Sequence, residues 1–190
     1  RDLHSFPTRR SSDLLVKTPL NWVTVNIKGN AWNNSIVFVH NNINTDNYAW
    51  LKEYSNIYLV CSLKETCERV KEYGTPIYLP LSVNKKYVEK FKKEKTKEVA
   101  FVGRKAKRNN YNFDDDVDFI ENVDRDTLLS KMAEYKKIYA VGRTAIEGKI
   151  LGCQILPYDE RFPKDIWRVR DTKTAVKELQ KKLDKLGVGK

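Results

Sequence analysis

Apolar runs of strand length alternate with segments of helical periodicity along the chain from Leu15 onward. Turn residues such as Gly29-Asn30 and Gly74-Thr75-Pro76 separate these runs. The strands predicted in the first half are residues 22–27, 35–40, 56–61 and 77–83. The helices predicted there are residues 45–54, 62–73, which opens with a capping box of Ser62 and Glu65, and 84–95. This alternation predicts an α/β fold.

The second half continues the same alternation and ends in an amphipathic segment. Its predicted strands are residues 98–104, 117–123, 138–141 and 153–156. Its predicted helices are residues 125–135 with Asp124 as the cap, a segment from Thr144 to a stop at Gly152, and 172–186. With 190 residues, the chain can bury one substantial core or two small ones.

Residues 137–159 form the most informative unit: a strand, a glycine turn, a helix and a second strand. Gly142 allows a sharp turn into the helix, for which Thr144 is the predicted N-cap. Free N–H groups at a helix N-terminus beside Arg143 suit a phosphate group, and Glu147, one turn further, could reach neighbouring hydroxyls. The same pattern also occurs in α/β proteins that bind nothing at this turn.

The run GRTAIEGKILGCQIL at residues 142–156 resembles the nucleotide-binding segment of the C-terminal domain of GT-B glycosyltransferases. In that family a glutamate, followed by a helix of small residues and a glycine, holds the ribose of a nucleotide-sugar donor. The resemblance gives this role to Glu147, and Tyr139 stands where the family often has a second glutamate. It assigns four neighbouring residues to the donor site as well: Gly142, Arg143, Thr144 and Ala145.

Two further segments carry the same resemblance. SLKETCERVKEYGTPIYLPLSV is similar to the end of a GT-B N-terminal domain, and EVAFVGR is similar to the opening strand of the C-terminal domain. In the family the Gly-Arg turn after that strand faces the donor's phosphates, which implies this role for Gly103 and Arg104. Three residues lie where the family has its next lysine, namely Lys105, Lys107 and Arg108. Lys107 is the one included in the predicted site.

The resemblance implies two Rossmann-like lobes. An incomplete acceptor-side lobe would span residues 15–95, a minimal nucleotide-sugar lobe would span 96–165, and a helix in 166–190 would return to the first lobe. It also implies a metal-independent, hexosyltransferase-like enzyme without a cofactor, which transfers a sugar from a UDP-linked donor to an acceptor hydroxyl.

Residues 1–14 are set aside from these predictions. The stretch HSFPTRRSSDL, residues 4–14, resembles the translation of a common sequencing adapter, so residues 1–14 would be a non-native leader. The remaining chain would then be an N-terminally truncated fragment. A basic, serine-rich targeting segment is the alternative.

The formal net charge of +11 is concentrated in one block, residues 84–108, where eleven basic residues face three acidic ones. Such a block could form a binding surface for phosphates, nucleic acid or an anionic membrane, or it could be a solvated helix face. An alternative function is therefore a non-catalytic basic α/β module that binds nucleic acid or another polyanion. Tyr87 and Phe91 are the aromatic residues within its lysine-rich part.

Two smaller features concern catalysis and metal binding. His40 follows an apolar strand in the predicted acceptor lobe, which makes it the candidate general base, although a lone histidine can also be structural. The run from Asp114 to Asp116 has the Asp-x-Asp spacing that GT-A glycosyltransferases use for a divalent metal. The asparagines around it favour a solvated loop, so no metal site is predicted.

The cysteine spacing and the hydropathy argue against a disulfide framework, a zinc site and a membrane-spanning helix. Cys61, Cys67 and Cys153 are too scattered for a disulfide framework, and no histidine or cysteine pair has zinc spacing. No apolar run approaches the roughly 18 residues of a membrane-spanning helix. The sequence therefore predicts a cytoplasmic protein, with its basic block as a peripheral contact for anionic lipid.

Overall fold

The computed structural model describes residues 16–17, 35–39, 44–113, 116–162 and 164–188. The chain divides into two compact units, Arg1–Pro80 and Leu81–Lys190. We call these the first and second units. The predicted leader, the predicted strand 22–27, His40, and Asp114 with Asp115 lie outside the described residues.

The first unit contains a parallel sheet in which the strands follow one another in chain order. Its strands are β1 (Val16–Lys17), β2 (Ile36–Val39), β3 (Tyr58–Cys61) and β4 (Thr75–Tyr78). A 3-10 helix, Thr45–Glu53, follows β2, and α1 (Lys64–Val70) joins β3 to β4. Apolar residues of the strands and both helices form the buried core, among them Val37, Tyr48, Leu51, Leu59 and Val70.

Three predictions for the first unit are corrected by local geometry. The predicted helix 45–54 is a 3-10 helix, which buries Thr45, Tyr48 and Leu51 because residues three apart eclipse in that helix type. The N-cap of α1 is Leu63, which makes no side-chain cap bond, and not the predicted Ser62. The strand predicted over 77–83 ends at Tyr78, shortly before Pro80, which has no N–H for a sheet ladder.

The second unit contains a second parallel sheet with the strand order β6-β5-β7-β8. Its strands are β5 (Lys97–Val102), β6 (Asp118–Ile120), β7 (Tyr135–Tyr139) and β8 (Gln154–Leu156). The helices are α2 (Lys85–Glu89), α3 (Lys105–Arg108), α4 (Arg125–Met132), α5 (Arg143–Ile150) and α6 (Thr172–Lys185), with a short 3-10 helix at Lys164–Ile166. The chain is therefore α/β with parallel sheets, as predicted.

The order of this sheet reverses at β5. The chain passes from β5 to β6 on one side, and then crosses back to β7 and β8 on the other side. Because crossovers between parallel strands are right-handed, α3 lies on one face of the sheet, and α4 and α5 lie on the opposite face. The reversal leaves β5 and β7 as neighbours whose connections depart in opposite directions.

Helix ends in the second unit follow their capping residues. The Asp124 carboxylate accepts hydrogen bonds from the Asp126 and Thr127 N–H groups, both at 3.0 Å, which confirms it as the cap of α4. The N-cap of α5 is Gly142 and not the predicted Thr144, because a positive φ of 66° at the glycine already turns the chain into the helix. Gly152 follows the end of α5 with a φ of 84°, as predicted.

Helix α2 is much shorter than the predicted helix over residues 84–95. Lys93 donates to the Glu134 carboxylate at 2.8 Å, and Lys95 donates to the Ala133 carbonyl at 2.9 Å. These contacts draw the segment toward the C-terminal end of α4, and tertiary contacts of this kind override a helical pattern. The segment therefore belongs to the second unit, whereas the prediction placed it at the end of the first lobe.

The C-terminal tail also belongs to the second unit. Asp171 caps α6 by accepting from the Lys173 N–H at 2.9 Å, and it forms a parallel bridge with Val83. The helix 172–186 is confirmed within one residue. Among the described residues, none of the helices is both long and apolar enough to cross a membrane.

Candidate functional site

The reversal of strand order between β5 and β7 defines the candidate site. The strands pair in register, with Phe101 opposite Tyr139 near their carboxyl ends. The turn at Gly103-Arg104 follows β5, and the turn at Gly142 follows β7. Parallel α/β sheets bind ligands at the carboxyl ends of the strands where the order reverses. The structure therefore brings the two predicted donor-binding turns to neighbouring positions at one edge of the sheet.

Four cationic side chains surround these turns. Arg104, Lys105 and Lys107 are exposed after β5, and Arg143 is exposed at the start of α5. Within the described part of the chain, none of the four forms an ion pair. By contrast, Arg108 lies 3.6 Å from a Glu121 carboxylate oxygen. The turns after β5 and β7 therefore carry positive charge that no acidic side chain among the described residues neutralises, which suits an anionic ligand.

The backbone conformation at Gly142 favours glycine at this position. Its φ of 66° and ψ of −137° belong to a region that only glycine adopts readily. A Cβ there would meet no atom closer than Leu81 Cδ1 at 3.9 Å, so the constraint is conformational. At the other turn a Cβ on Gly103 would lie 2.8 Å from the Phe101 ring. Each glycine is therefore required at its turn, although for a different reason.

The predicted residues of α5 divide between the surface and the core. Arg143 is exposed and Thr144 is half-buried, so their side chains can contact a ligand. Ala145 is fully buried, so it can contribute to a site only through its backbone. The first turn of α5 therefore offers one charged side chain and one hydroxyl beside the Gly142 turn.

Glu147 is fully buried and paired with an arginine of the neighbouring helix. The Arg125 guanidinium donates to both carboxylate oxygens of Glu147, with Nη1 at 3.1 Å from Oε2 and Nη2 bonded to Oε1. The Glu147 side chain is 0% exposed, whereas that of Arg125 is 44% exposed. A two-point pair of this kind joins α4 to α5. To bind a ribose, Glu147 would first have to give up Arg125.

An aromatic cluster covers the face of the sheet that carries α3. Phe119, Phe101 and Tyr139 lie in one row across β6, β5 and β7. Phe113 packs over this row, with the centre of its ring 5.0 Å from the ring centres of Phe101 and Tyr139. Because α3 has only four residues, these rings cover the sheet where a longer helix would otherwise lie. The cluster therefore packs at the carboxyl ends of β5 and β7, where the two turns begin.

Asp159 lies beyond the carboxyl end of β8 and forms a second polar network. Arg161 donates from Nε and Nη2 to the two Asp159 oxygens, each at 2.8 Å, and Tyr111 also hydrogen-bonds to Asp159. The bond from Arg161 holds the pKa of Asp159 below its ordinary value. Burial, with Tyr111 and Asp159 nearby, raises the pKa of Tyr158 to about 12. These groups are thus fixed in one charge state at neutral pH.

Sequence reasoning missed three charged residues near this edge of the sheet: Glu121, Arg125 and Asp159. Arg125 follows the recognised cap Asp124, but its partner Glu147 is 22 residues away. Glu121 directly follows β6 and lies eighteen residues beyond Gly103, which is a spacing that could have identified it. Asp159 follows the last predicted strand directly, at the end where ligands bind.

Two predicted features lie partly or wholly outside the described residues. His40 follows β2 in the sequence and stays a predicted general base. Of the three aspartates in the Asp-x-Asp run, Asp116 is described and is exposed. In the described ranges, no group of three histidine, cysteine, aspartate or glutamate residues could hold a metal ion.

Comparison with known proteins does not assign the chain to a family. No protein-family model matches the sequence, and no curated protein matches it.

Proposed function

We propose that the chain is a GT-B-like glycosyltransferase whose second unit binds a nucleoside-diphosphate sugar. The observation that carries this proposal is the reversal of strand order at β5 and β7, with a glycine turn after each strand. Four exposed cations at those turns complement a diphosphate, which carries two or more negative charges. The first unit would then be the acceptor-side lobe.

The reaction joins the acceptor hydroxyl oxygen to the anomeric carbon of the sugar. The bond from that carbon to the diphosphate oxygen breaks, and the nucleoside diphosphate leaves with the bonding electron pair. Arg104, Lys107 and Arg143 would stabilise the charge that builds on the departing diphosphate, which is the part of the transition state that fixed cations lower most. His40 would accept the proton of the acceptor hydroxyl. We propose that no metal is required.

Calorimetric titration with UDP and inorganic phosphate at matched ionic strength tests whether a nucleoside is recognised. We expect UDP to bind much more tightly than phosphate, and to stabilise the protein by about 2.7 kcal/mol at a hundredfold excess over its Kd. Equal stabilisation by UDP and phosphate would show that the turns bind only an anion.

A pair of double variants tests the cations. Arg104→Gln with Lys107→Gln should weaken UDP binding at least tenfold, because both charges lie at the β5 turn. Lys86→Gln with Lys90→Gln removes the same charge from exposed positions of the α2 segment, and it should leave the affinity nearly unchanged. A similar loss in both double variants would point to general electrostatic attraction.

The catalytic part of the proposal needs a separate measurement. Release of UDP from a UDP-hexose in the presence of candidate acceptor sugars should be lost in His40→Ala, whereas the affinity for UDP should stay the same. If His40→Ala retains full turnover, another group is the base.

A second candidate function is binding of a polyanion without catalysis. The exposed cations Lys86, Lys90 and Lys92 add to those at the β5 turn, so the basic block presents uncompensated charge over much of its length. Such a surface would also suit the proposed cytoplasmic location with peripheral contact to anionic lipid. Its paired members include Lys93 and Lys97, which both contact Glu134 and so do not add free charge.

Salt dependence separates the two functions. A polyanion-binding surface should hold single-stranded RNA with an affinity that falls steeply with salt, and nucleotide sugars should not compete. A donor site should instead prefer UDP-sugars to oligonucleotides at physiological salt. Competition between UDP and labelled RNA, measured by fluorescence anisotropy, distinguishes them.

A further inference from the structure

We propose that Glu121, at the carboxyl end of β6, is the residue that hydrogen-bonds to the ribose of the bound nucleotide. This assignment rests on the proposed function, and it replaces the ribose role predicted for Glu147. Glu121 was not singled out by the sequence patterns, and three observations in the second unit point to it.

The first observation is the position of Glu121 in the topology. Strand β6 is the second strand of its sheet in chain order, and it pairs with β5 so that Ile120 lies opposite Val102. The Gly103 N–H donates to the Ile120 carbonyl at 3.3 Å, so the backbone of Glu121 lies beside the Gly103 turn. In the doubly wound sheets that bind dinucleotides, an acidic residue about 20 residues after the first glycine turn bonds to the ribose. Glu121 lies eighteen residues after Gly103.

The second observation is an incomplete set of hydrogen bonds. Glu121 Oε1 is buried and has no hydrogen-bond partner within the described residues. Its neighbour is Arg108 Nε at 3.6 Å, which is beyond hydrogen-bond distance. A buried carboxylate oxygen without a donor is costly, and a ribose hydroxyl is a donor of the kind that this oxygen lacks.

The third observation is that Arg108 is only loosely held over this oxygen. Its guanidinium carbon lies 4.5 Å from the centre of the Phe119 ring, and Phe119 is 45% exposed. Neither this stacking contact nor the long ion pair with Glu121 is a hydrogen bond. Arg108 ends α3, a helix of four residues, and its side chain can turn away without breaking a bonded network. A nucleoside could therefore take its place at Glu121.

Glu147 offers the opposite arrangement. Both of its oxygens already accept from Arg125, and its side chain has no exposed surface. A ribose would have to displace a two-point charged bond and leave Arg125 without a partner. Exchange at Glu121 removes one long contact, whereas exchange at Glu147 removes two hydrogen bonds, so the ribose is bound at Glu121.

Comparison of UDP with 2′-deoxy-UDP tests the assignment in the 190-residue chain. We expect the wild-type protein to bind UDP at least fivefold more tightly, since the deoxy ligand lacks one donor to Glu121. Glu121→Gln should weaken UDP binding about tenfold and bring the two ligands within twofold of each other. Glu98→Gln, an exposed position on β5, is the matched control for loss of one negative charge and should preserve the wild-type preference.

A second variant addresses the same site without altering the carboxylate. Arg108→Gln should increase the preference for UDP over the deoxy ligand severalfold, because it removes the competitor of the ribose. The preference is the ratio of the affinities for two nucleoside diphosphates. Any direct contact of Arg108 with phosphate therefore affects both affinities equally and leaves their ratio unchanged.

The outcomes distinguish failure of the ribose assignment from failure of the proposed function. If UDP binds but Glu121→Gln and Arg108→Gln both keep the wild-type ratio, Glu121 is not the ribose ligand, while the nucleotide site stands. A ratio that collapses in Glu147→Gln alone would return the role to Glu147. If neither UDP nor ADP, GDP or CDP binds better than pyrophosphate, the proposed function and this assignment both fail.

Discussion

At the scale of single residues, partners decide what a charged side chain can do. Glu147 and Glu121 are both largely buried carboxylates in the second unit, and sequence alone favoured the former. The Arg125 guanidinium occupies both oxygens of Glu147, whereas one oxygen of Glu121 has no donor among the described residues. The contacts of Glu147 are therefore those of a structural residue that joins α5 to α4.

Replacing Arg125 should destabilise the second unit. Arg125→Ala leaves the Glu147 carboxylate buried and unpaired, which costs on the order of 3 kcal/mol. Because Arg125 is 44% exposed, water can reach part of the gap and the loss should fall at the lower end of such effects. Urea unfolding monitored by circular dichroism measures it.

The double variant Arg125→Met with Glu147→Leu is the control for this prediction. It removes both charges and keeps similar volume, so it should recover most of the lost stability. A double variant as unstable as Arg125→Ala would show that packing, and not the unpaired charge, accounts for the loss.

Asp159 should make stability depend on pH in the acid range. The Arg161 bonds lower its pKa in the folded state below the unfolded value near 3.9, so its contribution is fully present above that value. The contribution is lost as the pH falls through the folded pKa, because the unfolded chain then binds the proton first.

Asp159→Asn is therefore expected to cost about 1 kcal/mol at pH 7. The difference in unfolding free energy from the wild type should shrink below pH 4 and approach a constant small value near pH 2. Urea titrations at several pH values provide the measurement. A difference that stays the same from pH 7 to pH 2 would mean that the carboxylate charge contributes nothing.

Sequence patterns anticipated residue roles where the cause is local. Asp124 was identified as a cap because its partners, the N–H groups of Asp126 and Thr127, lie within the first turn of α4. The pairing of Arg125 with Glu147 depends on two helices that meet only after folding, so no spacing rule could reveal it. The same holds for Lys95, whose contact with the Ala133 carbonyl shortens a predicted helix.

At the scale of elements, strand positions were predicted well and helix ends less well. Strands β2, β3, β5, β6 and β8 lie within or close to their predicted ranges, because apolar runs record burial directly. Strand β7 starts three residues before its prediction, since Lys136 and Lys137 interrupt the apolar pattern while pairing continues. Helix α3 escaped prediction because it has only four residues, three of them basic, and so carries no apolar period.

The two positive-φ glycines at the ends of α5 allow a matched test of the site. Gly142→Ala and Gly152→Ala each place a Cβ at a φ that favours glycine, at a cost of roughly 1–3 kcal/mol. Gly142 lies at the candidate site, whereas Gly152 lies at the opposite edge of the sheet, before β8. We therefore expect both variants to lose stability, and only Gly142→Ala to lose affinity for UDP by tenfold or more.

Thermal melting and calorimetric titration of both variants, at a temperature where each is folded, provide the readout. Equal affinities in Gly142→Ala and Gly152→Ala would exclude the β7 turn from the binding site. A loss of affinity in both would mean that the site responds to the general stability of α5.

At the scale of the whole molecule, alternation of strands and helices was enough to predict parallel sheets. The order β6-β5-β7-β8 was not accessible, because an alternating chain can add each new strand on either side. That order is what makes the Gly103 and Gly142 turns neighbours. The end of the first unit at Pro80 was also missed, since the prediction assigned residues 84–95 to the first lobe, whereas Lys93 contacts Glu134 at the C-terminal end of α4.

The second unit has the features of a domain that folds alone. Residues 81–190 contain a complete four-stranded sheet, and the parallel bridge between Val83 and Asp171 joins the start of the unit to its terminal helix. Its core comprises residues from all four strands, for example Phe101, Ile120, Ile138 and Ile155. We expect these residues, expressed alone, to unfold cooperatively in urea.

The isolated second unit should also bind UDP with an affinity within about threefold of that of the 190-residue chain. A threefold change is well below the tenfold change that corresponds to about 1.4 kcal/mol of binding free energy. All the proposed ligands of the donor, from Gly103 to Arg143 and including Glu121, lie within it. Glycosyl transfer should be absent, because His40 and the acceptor lobe are missing. If the isolated unit folds but no longer binds UDP, the first unit supplies part of the nucleotide site, and the turns after β5 and β7 are not sufficient to form it.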